Sequence, residues 1–150
     1  MKPVLLVEDS ETDILLMQHV WRNVGVPNPL HVVEDGQRAM DYLVGNGSFA
    51  DRVAHPLPCL VLLDLKMPYF NGLEVLQWMR QQAGLKTLPV IVLTASVSDE
   101  DIADAYRLGA SAYIEKPMGM PKLTEMVTHL SGFWLTLNRF PDDAVTVLNR

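Results

Sequence analysis

The chain has 150 residues, of which 49% are hydrophobic, and this suits one compact domain with its own core. Its formal net charge of −6 argues against a nucleic-acid-binding face, which would need clustered Lys and Arg. The single cysteine, with no secretory pattern and no long apolar run, predicts a cytoplasmic protein that has no internal disulfide and no membrane span.

Apolar runs and helix-capping signals alternate along the sequence. Short continuous runs such as residues 3–7 are typical of parallel strands that helices cover on both faces. Ser10 is a predicted N-cap with Asp13 as its capping-box partner, and residues 45–58 predict a long surface loop. In chain order, the predicted elements are a strand over 3–7, a helix between Ser10 and Gly25, a strand over 30–33, a helix between Gly36 and Gly45, a strand over 59–63, a helix over 72–82, a strand over 89–93, a helix between Ser98 and Gly109, a strand over 112–114 and a helix over 121–137.

This alternation predicts an α/β fold, with an open, mostly parallel sheet, right-handed crossovers and helices on both faces. Ligands of such sheets bind beyond the carboxyl ends of the strands. Polar side chains stand at those ends, namely Glu8 and Asp9 after the first strand, Asp64 after the third, Thr94 after the fourth and Lys116 after the fifth. We therefore expect three carboxylates, a hydroxyl and an ammonium to meet at one edge.

Carboxylates that approach one another need a proton or a cation between them. Mg²⁺ prefers oxygen ligands, which suits Asp9 and Asp64 as direct ligands and Glu8 through water. Zinc is not expected, because the histidines are scattered and the lone cysteine begins a strand. A cation beside a carboxylate, a hydroxyl and an ammonium is typical of phosphoryl transfer, with Asp64 as nucleophile and Mg²⁺, Lys116 and Thr94 stabilising the phosphoryl oxygens.

The order of these motifs resembles the receiver domain of bacterial two-component response regulators. The matching motifs are Val7-Glu8-Asp9, Leu63-Asp64 with Met67-Pro68 and Gly72, Thr94-Ala95 and Lys116-Pro117. The resemblance covers residues 3 to about 132. It implies a flavodoxin-like (βα)5 fold with strand order 2-1-3-4-5, a receiver domain over residues 1–137 and a C-terminal extension over 138–150.

The resemblance also implies a role for each matching position. It makes Asp64 the phosphoacceptor for a sensor histidine kinase, and it makes Glu8, Asp9, Asp64 and the backbone carbonyl of Lys66 the ligands of Mg²⁺. The implied switch residues are Thr94, Tyr113 and Lys116, the implied modulators are Lys66, Ala95 and Ser96, and the implied structural residues are Pro68, Gly72 and Pro117. The family often has a cis Lys116–Pro117 peptide. The Lys66 side chain either alters the phosphoryl lifetime or is simply a solvated lysine.

A narrower resemblance concerns the partners. Residues 5–10, Glu34-Asp35-Gly36, the loop before the third strand, residues 112–117 and Phe133-Trp134-Leu135 are similar to small stand-alone regulators paired with bacterial phytochrome kinases. This implies a signalling protein that catalyses only its own phosphorylation and dephosphorylation, and that signals by protein–protein contact. An apolar ending around Phe133, Trp134, Leu137 and Phe140 predicts either buried core or a homodimer contact.

Three other functions stay open at this stage. An aspartyl-phosphate phosphatase would need a second Asp two residues after its nucleophile, where this chain has Lys66. A flavodoxin would need a neutral phosphate cradle after the first strand, where Glu8-Asp9-Ser10-Glu11 is acidic. A phosphorylation-independent interaction module would be expected to lack part of the acidic site, which is complete here.

Overall fold

The computed structural model describes residues 1–141. Its strands and helices alternate in the order that the sequence predicts. They are β1 (Val4–Val7), α1 (Glu11–Val24), β2 (Leu30–Val33), α2 (Gly36–Val44), β3 (Leu60–Leu63), α3 (Gly72–Gln81), β4 (Val90–Thr94), α4 (Asp99–Arg107), β5 (Ala112–Glu115) and α5 (Met120–Gly132).

The five strands form one parallel sheet in the order β2-β1-β3-β4-β5, which confirms the predicted flavodoxin-like fold. The central strands β1 and β3 are in register, with Val7 opposite Leu63. Because parallel neighbours end at the same edge, the residues after these two strands become neighbours in space.

Alternating side chains of the central strands pack on opposite faces of the sheet. One face of β1 and β3 packs with α2 and α3, and its strand residues are Leu5, Val7, Val61 and Leu63. The other face packs with α1 and α5, and its strand residues are Val4, Leu6, Leu60 and Leu62. Since both faces are covered, these strands read as unbroken apolar runs.

Side-chain caps begin four of the helices. Ser10, Asp35, Asn71 and Ser98 each accept a hydrogen bond from the backbone N–H of the third residue after them. Asp13 does not complete the predicted capping box, because its carboxylate binds Lys116 instead. The N–H of Ser10 donates to Oε1 of Glu8 at 3.1 Å.

The predicted long loop before β3 is present, and one arginine fixes it to α2. Arg52 donates to the carbonyl oxygens of Tyr42 at 2.6 Å, Leu43 at 2.8 Å and His55 at 2.9 Å. Two of these acceptors belong to the last turn of α2, where carbonyl groups have no helical partner. The loop also contains one turn of 3₁₀ helix at Gly47–Phe49.

The last helix differs from its prediction. The sequence predicts a continuous helix to Leu137, but α5 ends at Gly132 and one π-helical turn follows over Phe133–Leu137. Trp134 and Phe140 pack against the core, while Phe133 and Leu137 are 51% and 73% exposed. The predicted extension over 138–150 lies partly outside the described residues. Within residues 1–141, every helix is too short or too polar to traverse a bilayer.

Candidate functional site

The carboxyl ends of β1 and β3 bring the predicted acidic residues together. Glu8 and Asp64 are 3% and 4% exposed, whereas Asp9 is exposed. One oxygen from each of these carboxylates lies within 4.8 Å of the others. Among the described residues, this is the one group of three or more acidic, His or Cys side chains close enough to share an ion.

Lys116 lies among the carboxylates at the end of β5. Its Nζ donates to Glu8 Oε1 at 3.1 Å, to Asp64 Oδ2 at 3.1 Å and to Asp13 Oδ2 at 2.8 Å. The three contacts use the three donors of the ammonium group. Asp13 is the partner that the sequence reasoning missed, because its position in the first turn of α1 is equally typical of a helix cap.

The burial of this cluster alters its protonation. Burial raises the pKa of Glu8 to about 7, because the hydrogen bond from Lys116 only partly offsets the loss of hydration and Asp64 adds like charge. For Lys116, burial acts in the opposite direction, but the hydrogen bonds to Asp13 and Glu8 outweigh it and raise the pKa. The ammonium is therefore charged at neutral pH, while Glu8 titrates near neutrality.

The predicted hydroxyl and aromatic residues stand on the neighbouring strands. Thr94 is fully buried at the end of β4, and its Oγ1 accepts a 3.4 Å hydrogen bond from the N–H of Ser96. Tyr113 on β5 donates its O–H to the carbonyl of Ser96 at 2.9 Å. Ala95, between Thr94 and Ser96 in the chain, is exposed. The loop after β4 thus contacts Thr94 and Tyr113, two of the three side chains to which the resemblance gives switching roles.

Lys66 is exposed but has a partner. Its Nζ lies 3.3 Å from Oδ2 of Asp101, a residue in the first turn of α4. The backbone N–H of Lys66 donates to Oδ1 of Asp64 at 3.3 Å. The description of Lys66 as a simply solvated lysine is therefore incomplete. An open cleft of about 400 Å³ lies beside these residues, and Asp9, Lys66 and Asp101 are among those that line it.

Close backbone contact explains the glycine after this loop. A Cβ atom on Gly72 would lie 2.3 Å from the carbonyl oxygen of Asp64, so a side chain there would displace the segment that carries the carboxylate. Pro68 lies in the turn between them, and Tyr69 after it has a left-handed φ of 66°. The Lys116–Pro117 peptide is trans, unlike the cis form that the resemblance suggests.

The donor set fits a hard divalent cation. Three oxygen-bearing carboxylates at one sheet edge, one exposed and two buried, are the ligand type that such cations prefer. The histidines and the cysteine lie elsewhere, as the sequence indicates. Cys59 is buried at the opposite end of β3, and His31 Nδ1 lies 2.7 Å from the hydroxyl of Tyr42.

The parallel sheet in the order β2-β1-β3-β4-β5 and the acidic cluster at its carboxyl edge agree with a receiver domain of a response regulator, and comparison with known proteins identifies that class. The model of the response regulator receiver domain matches residues 4–128. The chain belongs to this family.

Among its relatives, the response regulator Rcp1 of Synechocystis is 36% identical over 140 residues, which is 93% of each chain. The Mn²⁺-bound crystal structure of Rcp1 superposes with a TM-score of 0.85 over 95% of this chain and 100% of that one. The phosphorylated cyanobacterial phytochrome response regulator RcpA is 37% identical, with a TM-score of 0.86 over 94% and 99% of the two chains. The regulator RPA3017, of red-light signalling in R. palustris, is 35% identical with a TM-score of 0.89, over 95% and 99%. The chain is thus similar to stand-alone regulators associated with phytochromes.

Proposed function

We propose that this protein is a single-domain response regulator that accepts a phosphoryl group on Asp64 from a sensor histidine kinase, in a reaction that depends on Mg²⁺. One observation carries the proposal. Asp64 is a buried carboxylate whose Oδ2 contacts Lys116, and one of its oxygens lies within 4.8 Å of one oxygen each of Glu8 and Asp9. A buried carboxylate beside cationic partners that can pair with the phosphoryl oxygens is suited to nucleophilic phosphoryl transfer.

In the proposed step, a carboxylate oxygen of Asp64 forms a bond to phosphorus while the bond from phosphorus to the donor's imidazole nitrogen breaks. The electron pair of that bond stays with the imidazole, which takes up a proton. The product is an acyl phosphate. Lys116 is held 3.1 Å from Oδ2 of Asp64, so its ammonium can pair with the phosphoryl oxygens without a large movement.

For the metal, we assign Glu8, Asp9 and Asp64 as the side chains that hold Mg²⁺, with the backbone carbonyl of Lys66 as a further ligand. Mg²⁺ keeps several waters and combines one or two carboxylates with phosphate oxygens, which suits an acidic site open on one side. When bound, the cation neutralises phosphoryl charge. The Mn²⁺-bound relative supports a divalent cation in this family, and the all-oxygen set is one that Mg²⁺ also accepts.

The signal would be a change of shape rather than chemistry on an outside substrate. Phosphorylation adds close to two negative charges and new acceptor oxygens at this edge of the sheet. Thr94 and Lys116 would move towards them, and Tyr113 would follow because its hydroxyl is bonded to the loop after Thr94. The surface of α4, β5 and α5 would then select a protein partner, as a population shift between two states.

Intact mass spectrometry after incubation with acetyl phosphate and Mg²⁺ tests the phosphoacceptor. We expect the mass of one phosphoryl group to be gained by the unsubstituted protein and lost in Asp64→Asn. Asp51→Asn, a change in the exposed loop before β3, is the matched control and should keep the gain. No gain in the unsubstituted protein, or an equal gain in Asp64→Asn, would contradict the proposal.

A bacterial phytochrome histidine kinase is the proposed donor. The support is the likeness to RcpA and to RPA3017, both described as regulators of phytochrome or red-light signalling. Phosphotransfer profiling against all histidine kinases of the host should give the fastest transfer from a phytochrome kinase. A faster transfer from a kinase without a photosensory module would reassign the partner.

We also infer that residues 1–137 form the receiver unit and that two copies pair through the exposed apolar side chains at its last turn. Phe133 and Leu137 are large apolar side chains exposed at the last turn. Leu137→Ser should lower the dimer fraction in size-exclusion chromatography with light scattering. Leu15→Ser, which removes a comparably exposed leucine on α1, should not. Equal behaviour of the two variants would place the contact elsewhere.

A further inference from the structure

Asp101, in the first turn of α4, contacts the two loops that flank Asp64. Its Oδ2 accepts a hydrogen bond from Oγ of Ser96 at 2.5 Å and lies 3.3 Å from Nζ of Lys66. The side chain of Asp101 is only 19% exposed, whereas that of Lys66 is 66% exposed. One carboxylate therefore joins the loop after β3 to the loop after β4.

The connection continues from Ser96 to Thr94 and Tyr113, two of the three proposed switch residues. The N–H of Ser96 donates to Oγ1 of Thr94 at 3.4 Å, and its carbonyl accepts the hydroxyl of Tyr113 at 2.9 Å. A displacement of Ser96 would thus change the hydrogen bonds of both Thr94 and Tyr113. The hydrogen bond from Ser96 and the ion pair with Lys66 also keep the pKa of Asp101 below its usual range, so this carboxylate is charged at neutral pH.

The ion pair itself contributes little to the stability of the fold. Lys66 is largely in solvent, and exposed ion pairs contribute at most about 1 kcal/mol. The same exposure makes the ammonium easy to redirect. The backbone N–H of Lys66 already binds Oδ1 of Asp64, so a phosphoryl group on Asp64 would arrive beside the residue that carries this ammonium.

We propose that Asp101 is a positioning residue that holds Lys66 away from Asp64 before phosphorylation, and that the phosphoryl group withdraws Lys66 from it and releases the Ser96 loop. This inference rests on the proposed function of Asp64. A dianionic phosphoryl group attracts an ammonium more strongly than a single carboxylate does at a similar distance. Once Asp101 has lost Lys66, its bond to Ser96 no longer spans two fixed loops, and Thr94 and Tyr113 can move together.

The proposal also sets the direction of an effect on the phosphoryl lifetime. Hydrolysis of the acyl phosphate needs a water in line with the bond from phosphorus to Asp64. A long side chain drawn over the phosphoryl group hinders the approach of that water and therefore slows hydrolysis. We expect Lys66 to lengthen the lifetime when it reaches the phosphoryl group, and Asp101 to shorten it by competing for Lys66.

A double-mutant cycle tests the coupling. Lys66→Gln, Asp101→Asn and the double variant are phosphorylated with acetyl phosphate and Mg²⁺, the donor is removed, and the decay of phosphorylated protein is followed by intact mass. Asp101→Asn should lengthen the half-life roughly threefold to tenfold when Lys66 is present, the size of coupling that contacting residues show. In the Lys66→Gln background, the same change should alter the half-life by less than about twofold.

Asp104→Asn is the matched control. Asp104 lies on the same helix and pairs with Arg107 at 3.2 Å, so its removal takes one carboxylate and one exposed ion pair from α4 without touching either loop. It should leave the half-life unchanged. An effect of Asp101→Asn that is absent, equal in both Lys66 backgrounds, or reproduced by Asp104→Asn would overturn the proposal.

A second measurement needs no phosphorylation. In protein labelled with 3-fluorotyrosine, the ¹⁹F resonance of Tyr113, assigned by its loss in Tyr113→Phe, should shift in Asp101→Asn and in Lys66→Gln but not in Asp104→Asn. An unchanged Tyr113 resonance in the first two variants would overturn the inference. A failure of the mass gain in every variant would instead overturn the proposed function, so the two failures are distinguishable.

Discussion

The two lysines that flank Asp64 have opposite environments. The side chain of Lys116 is 22% exposed and contacts three carboxylates, whereas that of Lys66 is 66% exposed and contacts one. Removal of a buried cation leaves its carboxylate partners buried without a compensating charge. Removal of an exposed cation costs less, because water solvates the carboxylate that remains. The comparison shows that the same residue type can secure a site at one edge of an acidic cluster and remain free to move at the other.

The largest expected effect comes from removing each ammonium in turn. Lys116→Met should lower the free energy of unfolding by roughly 3 kcal/mol at pH 8 without metal, because the buried carboxylates of Glu8 and Asp64 lose their cation. Lys66→Met should lower it by less than about 0.5 kcal/mol. Urea denaturation measures both losses, and equal losses would contradict the difference between a buried Lys116 and an exposed Lys66.

The buried cluster should make stability fall with rising pH below neutrality, and the lowered pKa of partly buried His31 opposes this only in part. Since the folded-state pKa of Glu8 is about 7 and its ordinary value is 4.5, the folded state binds the extra proton between these pH values. The free energy of unfolding should then fall by roughly 2–3 kcal/mol as pH rises from 4.5 to 7 without metal. The raised pKa of Lys116 does not contribute there, because its stabilisation is complete below pH 10.5 and declines only above it.

Glu8→Gln should flatten this slope, and Glu11→Gln, an exposed carboxylate in α1, should leave it intact. Thermal or urea unfolding over the pH range checks the prediction. A slope that survives in Glu8→Gln would assign the titration to another group.

Mg²⁺ should stabilise the buried cluster without affecting the exposed pair. At a concentration ten times its dissociation constant, a ligand that binds only the folded state adds about 1.4 kcal/mol to the free energy of unfolding. Asp9→Asn should abolish this gain, because it removes one of the three carboxylates. Lys66→Met should retain the gain. The midpoint of urea unfolding with and without Mg²⁺ measures it, and a full gain in Asp9→Asn would count against the assigned ligands.

Within the buried cluster, the smallest expected effect is at Asp13, whose carboxylate is 45% exposed although it makes the shortest contact to Lys116. Asp13→Asn should lower the free energy of unfolding by roughly 0.5–1 kcal/mol. Asp99→Asn is the control. It removes a carboxylate from the first turn of α4, so it loses the same helix-dipole stabilisation as Asp13→Asn. The difference between the two variants isolates the contact with Lys116, and no difference would show that this contact adds nothing.

Much of the site could be predicted because its residues follow apolar runs. Val7 and Leu63 are fully buried in adjacent parallel strands, so the residues after them had to meet at one edge. Lys116 could be placed by the same reasoning, since its backbone N–H binds the carbonyl of Thr94 on the neighbouring strand.

The residues that sequence reasoning missed lie on helices. Asp13 and Asp101 each occupy the first turn of a helix, where an acidic residue is already explained by capping and by the helix dipole. A second role for either depends on which loop the helix start faces, and that is set by tertiary packing. The π-helical turn after Gly132 was missed for a related reason, since no single residue in Phe133–Leu137 specifies it.

The most direct test of the account is to locate the phosphoryl group by residue. Protein treated with acetyl phosphate and Mg²⁺ can be reduced with borohydride, which converts an aspartyl phosphate to homoserine, and then digested for peptide sequencing by mass spectrometry. We expect homoserine at position 64 and unmodified aspartate at positions 9 and 101. Homoserine at either of those positions, or a phosphorylated protein with aspartate intact at position 64, would contradict this expectation.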